Sequence, residues 1–293
     1  LIGPIRADFA ISDTQFSLLH GLAFALFYTF LGLPIGRWAD RGNRRNIIVI
    51  GVALWSVMTC LCGAAKSFSA LFLARIGVGV GEAALSPPAH SLLSDYFRAE
   101  RLPLVLAIYS TGIMLGSGLA FMIGGHIYDY FVAHDAWVLP LVGALKPWQS
   151  TFIVVGMPGL LVALLLLTVR EPERKGVIQQ DQAMPLIDVL RYLNERRSAY
   201  LSLIVGISLL SILGYGTLAW YPEFLQRTYG VSRTVAGEGF GQLFIVAGIA
   251  GSIVLAVAAG WMRRRGVVDI NMRIVFVVGV LVFSLIGIIA VFV

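Results

Sequence analysis

Residues 69–94, SALFLARIGVGVGEAALSPPAHSLLS, form an apolar run that contains two charged side chains, Arg75 and Glu82. The run is longer than the roughly 20 residues that a helix needs to cross the hydrocarbon core of a bilayer. A charge inside such a helix costs about 3 kcal/mol on insertion scales, and it usually faces a cavity or a partner. The stretch therefore predicts a membrane-spanning helix with a functional site on it.

Seven further apolar runs lie on either side of this one, separated by short polar loops. Only 13% of the residues are charged and 58% are hydrophobic, whereas soluble domains have roughly a quarter of their residues charged. The pattern predicts an all-α integral membrane protein. The further runs are residues 15–36, 46–65, 102–125, 149–169, 199–225, 234–262 and 270–293.

The net charge of +6 is distributed unevenly between the two sets of alternate loops. Of the 22 Lys and Arg residues, 16 lie on one side of the predicted membrane and five on the other. Positive charge marks the cytoplasmic side, so the excess sets the orientation in an inner (plasma) membrane and gives no reason to expect nucleic acid as a partner.

The longest polar interruption divides the chain. Residues 1–170 are predicted to form an N-terminal helix bundle, 171–198 a cytoplasmic linker, and 199–293 part of a C-terminal bundle. Within the linker, residues 185–197 have apolar side chains on one helical face, which is typical of a helix at the membrane surface. Because the chain starts without Met and stops inside an apolar run, we expect helices to be missing at both ends, and we see no cleavable signal peptide.

Arg75 and Glu82 are the candidate proton and substrate site. Seven residues make almost two helical turns, so both side chains project from one face about 10 Å apart. Transporter sites lie near the bilayer midplane, where this carboxyl could bind and release a proton. The alternative is that the two charges only hold helices together. Pro87 and Pro88, which follow them, are expected to kink or break the helix.

A second charged group lies in the loop after the first complete span. A carboxylate and three arginines follow one another there, and Arg44 or Arg45 could pair with Asp95 at the cytoplasmic end of the helix that carries Glu82. The alternative is a solvated loop whose charge only sets topology. The candidate cytoplasmic gate is Asp40, Arg41, Arg44, Arg45 and Asp95.

Polar and aromatic residues within the spans are candidates for lining a central cavity, although any single residue of this kind is more often core than ligand. Few polar anchors in an apolar cavity favour a lipid-like substrate over a sugar. The possible lining residues are Tyr28, Met114, Ser117, Phe121, Tyr215 and Trp220, and Glu223 is a possible outer gate. Gly112, Gly116 and Gly124 form a small-residue stripe that predicts close helix packing.

Several chemistries find no support in the sequence. Cys60 and Cys62 lie in an apolar helix without other soft ligands, and the four histidines lack metal-ligand spacing. No lysine follows a Gly-x-x-x-x-Gly pattern, so no phosphate-binding loop for ATP is predicted. We expect no metal, no cofactor and no enzymatic activity, and for a transporter either the energy comes from a gradient or transport is downhill.

Four segments resemble a known family. Residues 36–45, GRWADRGNRR, resemble the signature loop between helices 2 and 3 of the major facilitator superfamily, and Asn43 at the second Gly position is similar to its spinster branch. Residues 74–83 (ARIGVGVGEA), 112–125 and 169–172 (VREP) are similar to that branch as well. The resemblance implies two six-helix bundles, here lacking about one N-terminal and three C-terminal helices. It also implies that the signature loop is a latch between the bundles, and it implies export of sphingolipid-type or lysolipid-type amphiphiles with proton coupling.

The resulting expectation is a monomeric secondary active transporter of lipid-like substrates, driven by protons and working by alternating access in the lipid bilayer. One alternative is a major facilitator exporter of drugs or organic anions. Two others come from different classes: a membrane receptor that does not transport, and a gated channel.

Overall fold

A computed structural model describes residues 1–140, 142–175 and 186–267, together with Arg273 and Val277. The predicted span at 270–293 lies, apart from those two residues, outside the described part. The helices are α1 Ile2–Phe9, α2 Asp13–Ser17, α3 Ala23–Arg41, α4 Arg44–Ala64, α5 Phe68–Glu82, α6 Ser86–Tyr96, α7 Leu102–Ala133, α8 Pro147–Leu166, α9 Leu186–Glu195, α10 Arg197–Tyr229 and α11 Arg233–Arg264. A π-helical turn, Leu18–Leu22, joins α2 to α3.

Seven helical units in the described ranges are long and apolar enough to cross a membrane, which confirms the all-α membrane class. They are Asp13–Arg41, Arg44–Ala64, Phe68–Tyr96, Leu102–Ala133, Pro147–Leu166, Tyr200–Tyr229 and Arg233–Met262. A two-residue antiparallel pair between α7 and α8, β1 Val138–Leu139 with β2 Gly143–Ala144, is an addition that the sequence did not predict.

Side-chain caps begin two of the spanning helices. The Asn43 side chain accepts a hydrogen bond from the Asn46 amide at 2.8 Å and starts α4. Ser67 accepts one from the Ala70 amide at 3.2 Å and starts α5. Short polar side chains suit these positions because the first amides of a helix have no intrahelical acceptor. Asn43 therefore has a structural reason to occupy its place in the signature loop.

Glycine allows α4 and α5 to approach closely at the centre of the N-terminal helices. A Cβ on Gly81 would lie 2.6 Å from the backbone nitrogen of Trp55, and one on Gly51 would lie 2.7 Å from the carbonyl oxygen of Gly81. Neither backbone can move aside, so any larger residue would force the helices apart. This contact fixes the C-terminal end of α5, where Glu82 lies.

Candidate transport site and gates

The helix that carries the two intramembrane charges is broken at the second of them. Helix α5 ends at Glu82, three residues form a turn, and α6 starts at Ser86 with prolines in its first turn. Glu82 is half-buried. Within the described ranges its carboxylate accepts no hydrogen bond and pairs with no cation. The carboxyl of Glu82 thus lies at a helix break without a fixed partner in the described structure.

Arg75 lies two turns earlier on α5 and faces the spanning unit that contains α3. Its Nη2 atom donates a hydrogen bond of 3.4 Å to the carbonyl oxygen of His20. Its guanidinium carbon lies 5.8 Å from the ring centroid of Phe24. Arg75 is therefore positioned by neutral groups, so its positive charge is not neutralised by a carboxylate at this contact.

Aromatic side chains lie on the outer side of Arg75. The Phe16 ring stacks on His20 with centroids 6.0 Å apart, and Trp220 of α10 meets Phe16 edge-on at 6.2 Å. His20 lacks metal-ligand spacing to the other histidines, so its position in the sequence predicts no role for it. The π-helical turn that contains it leaves no recognisable residue pattern, so sequence reasoning could not find it.

The cytoplasmic cluster is centred on Arg44, which is 0% exposed. It forms ion pairs with Asp95 and, through Nε at 2.6 Å, with Glu171. Its Nη1 also donates to the Ser91 hydroxyl at 3.0 Å. These partners join the start of α4, the end of α6 and the segment after α8, all within residues 1–175.

Glu171 is a functional candidate that the site prediction omitted, although it lies in the quoted VREP segment. Its second oxygen accepts a hydrogen bond of 2.9 Å from the backbone amide of Arg45. Burial opposes ionisation of this carboxyl, but the Arg45 amide and the Arg44 guanidinium hold the pKa of Glu171 below its usual value. The cluster therefore contains two carboxylates that depend on Arg44.

Of the remaining residues of the predicted cytoplasmic gate, Arg45 is half-buried and donates to the carbonyl oxygens of Leu167 and Val169 at 3.3 Å, whereas the other two lie at the surface. Asp40 and Arg41 are exposed at the end of α3. The carbonyls around them are held by Arg174, which donates to Ala39 at 2.7 Å and to Gly42 at 2.6 Å. The structure thus separates the predicted gate into a buried part, Arg44 with Asp95, and an exposed part.

Two of the predicted cavity residues pack between helices α7 and α11. Phe121 meets Phe240 edge-on with centroids 5.0 Å apart, and the sulfur of Met114 would lie 2.9 Å from a Cβ on Gly248.

The other predicted cavity residues lie elsewhere. Tyr28 stacks on Phe24 with ring centroids 5.4 Å apart. Ser117 is half-buried, whereas Tyr215 is 74% exposed. Tyr28 and Trp220 thus neighbour the groups around Arg75, while Met114 and Phe121 do not.

The stripe of glycines that contacts α11 differs from the predicted one. No described atom of a neighbouring helix lies within 4 Å of the Cβ position of Gly112, Gly116 or Gly124. Gly118 and Gly125 make the contacts instead, because residues 118, 122 and 125 share the face turned towards α11. Helix α7 does pack closely against α11, but through a different face of α7 from the one predicted.

The contacts between α7 and α11 lie over the middle and outer parts of both helices. They include the His126–Glu238 pair at 2.6 Å and a hydrogen bond from the Thr234 hydroxyl to Asp129. Towards the cytoplasm, no neighbouring helix within the described ranges comes within 4 Å of the Cβ position of Gly251 or Gly260. The described contacts between these two helices therefore lie towards the predicted outer side.

An ionic network links two helical elements at a second place on the predicted outer side. Arg227 of α10 donates two hydrogen bonds of 2.9 Å to the two oxygens of Asp13. It also donates one of 2.9 Å to Glu223, which is 8% exposed. Arg6 pairs with Asp13 at 3.0 Å. The predicted outer-gate residue Glu223 thus belongs to a network that joins α2 to α10.

A glycine substitution tests whether the outer contact must be this close. A Cβ on Gly237 would lie 2.5 Å from the backbone oxygen of Phe121, whereas one on Gly239 meets nothing within 4 Å in the described structure. We expect Gly237→Ala to make outer-side reporter thiols more accessible and Gly239→Ala to leave them unchanged. Equal accessibility in both variants would show that this contact does not close the outer side.

Comparison with known proteins identifies the family of the chain. The family model described as Major Facilitator Superfamily matches residues 1–293. An MFS-type efflux pump of Mycolicibacterium smegmatis is 29% identical over 90% of this chain and 58% of its own length. Protein spinster homolog 1 of Homo sapiens is 32% identical over 81% of this chain and 43% of its own.

The solved structures give the same result. A bacterial homolog of the human lysosomal transporter Spinster, in an inward-facing and unoccupied conformation, superposes with a TM-score of 0.74 at 35% identity. The match covers 91% of this chain and 59% of that one. The chain thus spans about half the length of its relatives, and the resemblance to spinster proteins is confirmed. On the evidence of the matched family model and of the fold, the chain belongs to the Major Facilitator Superfamily.

Proposed function

We propose that this protein is a secondary active transporter of amphiphilic, lipid-like molecules that is coupled to protons and works by alternating access as a monomer in the inner membrane. Family membership supports transport rather than enzymatic catalysis. The two bundles, residues 1–170 and 199–293, would move against each other about the linker 171–198. The described outer-side contacts of α7 with α11 and of α2 with α10 support an inward-open state.

The observation that carries the proposal is the setting of Glu82. It lies at a break in a spanning helix, is half-buried, and has no ionic partner in the described part of the chain. Irregular backbone within a transporter helix is tolerated where it lines a cavity, and binding sites lie there. Glu82 would carry the proton, and Arg75 on the same face would contact an anionic headgroup.

The cytoplasmic gate would have two parts. Arg44, Asp95 and Glu171 fix the loop between α3 and α4 to the N-terminal bundle, because their ion pairs join elements of residues 1–175. Asp40 and Arg41 are exposed at that loop. They are the side chains available to a partner surface on the other bundle when the cytoplasmic side closes.

Aromatic and apolar side chains around Arg75 favour an amphiphile. Phe24 lies beside the Arg75 guanidinium and stacks on Tyr28, and Phe16 and Trp220 lie beyond His20, which would suit an apolar chain with a single anionic headgroup. The similarity to an MFS-type efflux pump favours a second candidate, an exporter of drugs or organic anions. A receptor that does not transport is the third candidate, and it predicts binding without flux.

Flux into proteoliposomes distinguishes these candidates. We expect the intact protein to move labelled lysolipid across the membrane and to do so faster when a pH gradient is imposed. Flux of organic anions with none of lysolipid would support the exporter. Lysolipid binding without any flux would support the receptor. A rate of lysolipid flux that does not depend on the pH gradient would contradict proton coupling.

A further inference from the structure

The first spanning unit, Asp13–Arg41, contains a change of helix type on its outer side. Residues Leu18–Leu22 form a π-helical turn, in which the amide of Ala23 donates to the carbonyl of Leu18, five residues earlier. Such turns contain one residue more than an α-helical turn, and they often occur at functional sites. The site and gate described above leave this turn without a role.

Arg75 contacts the turn directly. Its guanidinium donates to the backbone oxygen of His20, the middle residue of the turn. The next residue, Gly21, has no described neighbour within 4 Å of its Cβ position, so the turn is not packed in place on that side. Arg75 of α5 therefore supplies a polar contact to this turn from a different helix.

A continuous set of contacts runs from this turn to the outer ionic network. His20 stacks on Phe16, and Phe16 meets Trp220 edge-on. The guanidinium of Arg227 lies 5.7 Å from the Trp220 ring centroid, and the same group binds Asp13. Asp13 lies on the outer side of the turn, in the same spanning unit.

We propose that the π-helical turn couples Arg75 to the outer ion pair of Asp13 with Arg227. While Arg75 donates to His20, the wide turn persists and the outer side stays closed. An anionic group that takes over the guanidinium releases the turn to the α-helical form. The loss of one residue from the turn rotates the outer segment by about 100°, so Asp13 can no longer keep both hydrogen bonds to Arg227.

This inference rests on the proposed function in one respect, which is that Arg75 receives an anionic group of the substrate. Its test is nevertheless independent of substrate and of protons. Spin labels at Val132 and Tyr229, which are 58% and 59% exposed, report the distance between α7 and α10 on the outer side. The background is the intact protein with Cys60→Ala and Cys62→Ala, and no substrate is added.

Three variants distinguish the effect of the π-helical turn on the outer-open population from the effect of the Arg75 charge. Arg75→Met removes the donor and should raise the outer-open population about tenfold, which is the loss expected for a hydrogen bond from a charged group. Deletion of Gly21 shortens the turn and should open the outer side by itself, so that adding Arg75→Met has no further effect. Gly21→Ala keeps the residue count and should match the parent.

A second measurement does not need the deletion. Thiol accessibility scanned over residues 12–17 should shift its helical phase in Arg75→Met as the outer segment rotates. An unchanged distance and an unchanged phase in Arg75→Met would overturn the proposal. So would an Arg75→Met effect that persists in full after deletion of Gly21. If proton-coupled flux fails while these results hold, only the proposed function falls.

Discussion

We expect Glu82→Gln to abolish proton-driven transport of lysolipid in proteoliposomes, because this carboxyl lies half-buried at a break in a spanning helix. The amide has nearly the same shape but cannot exchange a proton, so the substitution removes the charge change without removing volume. Since no described cation pairs with Glu82, the substitution leaves no partner charge unpaired, and the protein should fold and insert as before. Initial rates measured with and without a pH gradient check this expectation.

A matched control for this variant is Glu100→Gln. Glu100 lies in the exposed turn between α6 and α7, where its side chain is 74% exposed and pairs with Arg98 at 3.5 Å. Exposed pairs of this kind contribute little, so transport and its pH dependence should be unchanged. Rates in Glu82→Gln that equal the parent and still follow the pH gradient would remove Glu82 from the mechanism.

Arg44→Met should cause the largest loss of stability. Arg44 is 0% exposed, and its removal leaves Asp95 and Glu171 without their shared cation. Removing one partner of a buried ion pair costs about 3–5 kcal/mol, because the remaining charge is buried and uncompensated. We expect a much lower melting temperature of the purified protein in detergent and a lower yield.

Two comparisons define the cause of that loss. Arg41→Met removes an exposed arginine from the same loop and should melt like the parent. Adding Asp95→Asn and Glu171→Gln to Arg44→Met should recover part of the lost stability, because no charge is then left unpaired. A melting temperature of Arg44→Met equal to that of the parent would show that the cluster does not stabilise the fold.

The spans were predictable because the bilayer dictates their length. Seven of the eight apolar runs correspond to helices in the described structure, and the eighth lies outside it. The prolines after Glu82 predicted a break, and α6 begins with them. The sequence also pointed to an arginine of the signature loop as a partner of Asp95, and Arg44 is the one that pairs with it.

The rest depends on contacts between residues far apart in the chain. Glu171 reaches Arg44 across 127 positions, and Asp13 reaches Arg227 across 214. Polarity and spacing along one helix do not encode such pairs. The π-helical turn depends on hydrogen-bond register, which has no residue signature. The face of α7 that meets α11 was misplaced because small residues lie on more than one side of that helix.

Proton exchange by the purified protein tests the central claim most directly. In weakly buffered detergent solution with a pH indicator, adding lysolipid to the parent should change the pH as the acid at position 82 takes up or releases a proton. The same addition to Glu82→Gln should give no change, while Glu100→Gln behaves like the parent. An equal pH change in Glu82→Gln would show that the coupled proton binds elsewhere.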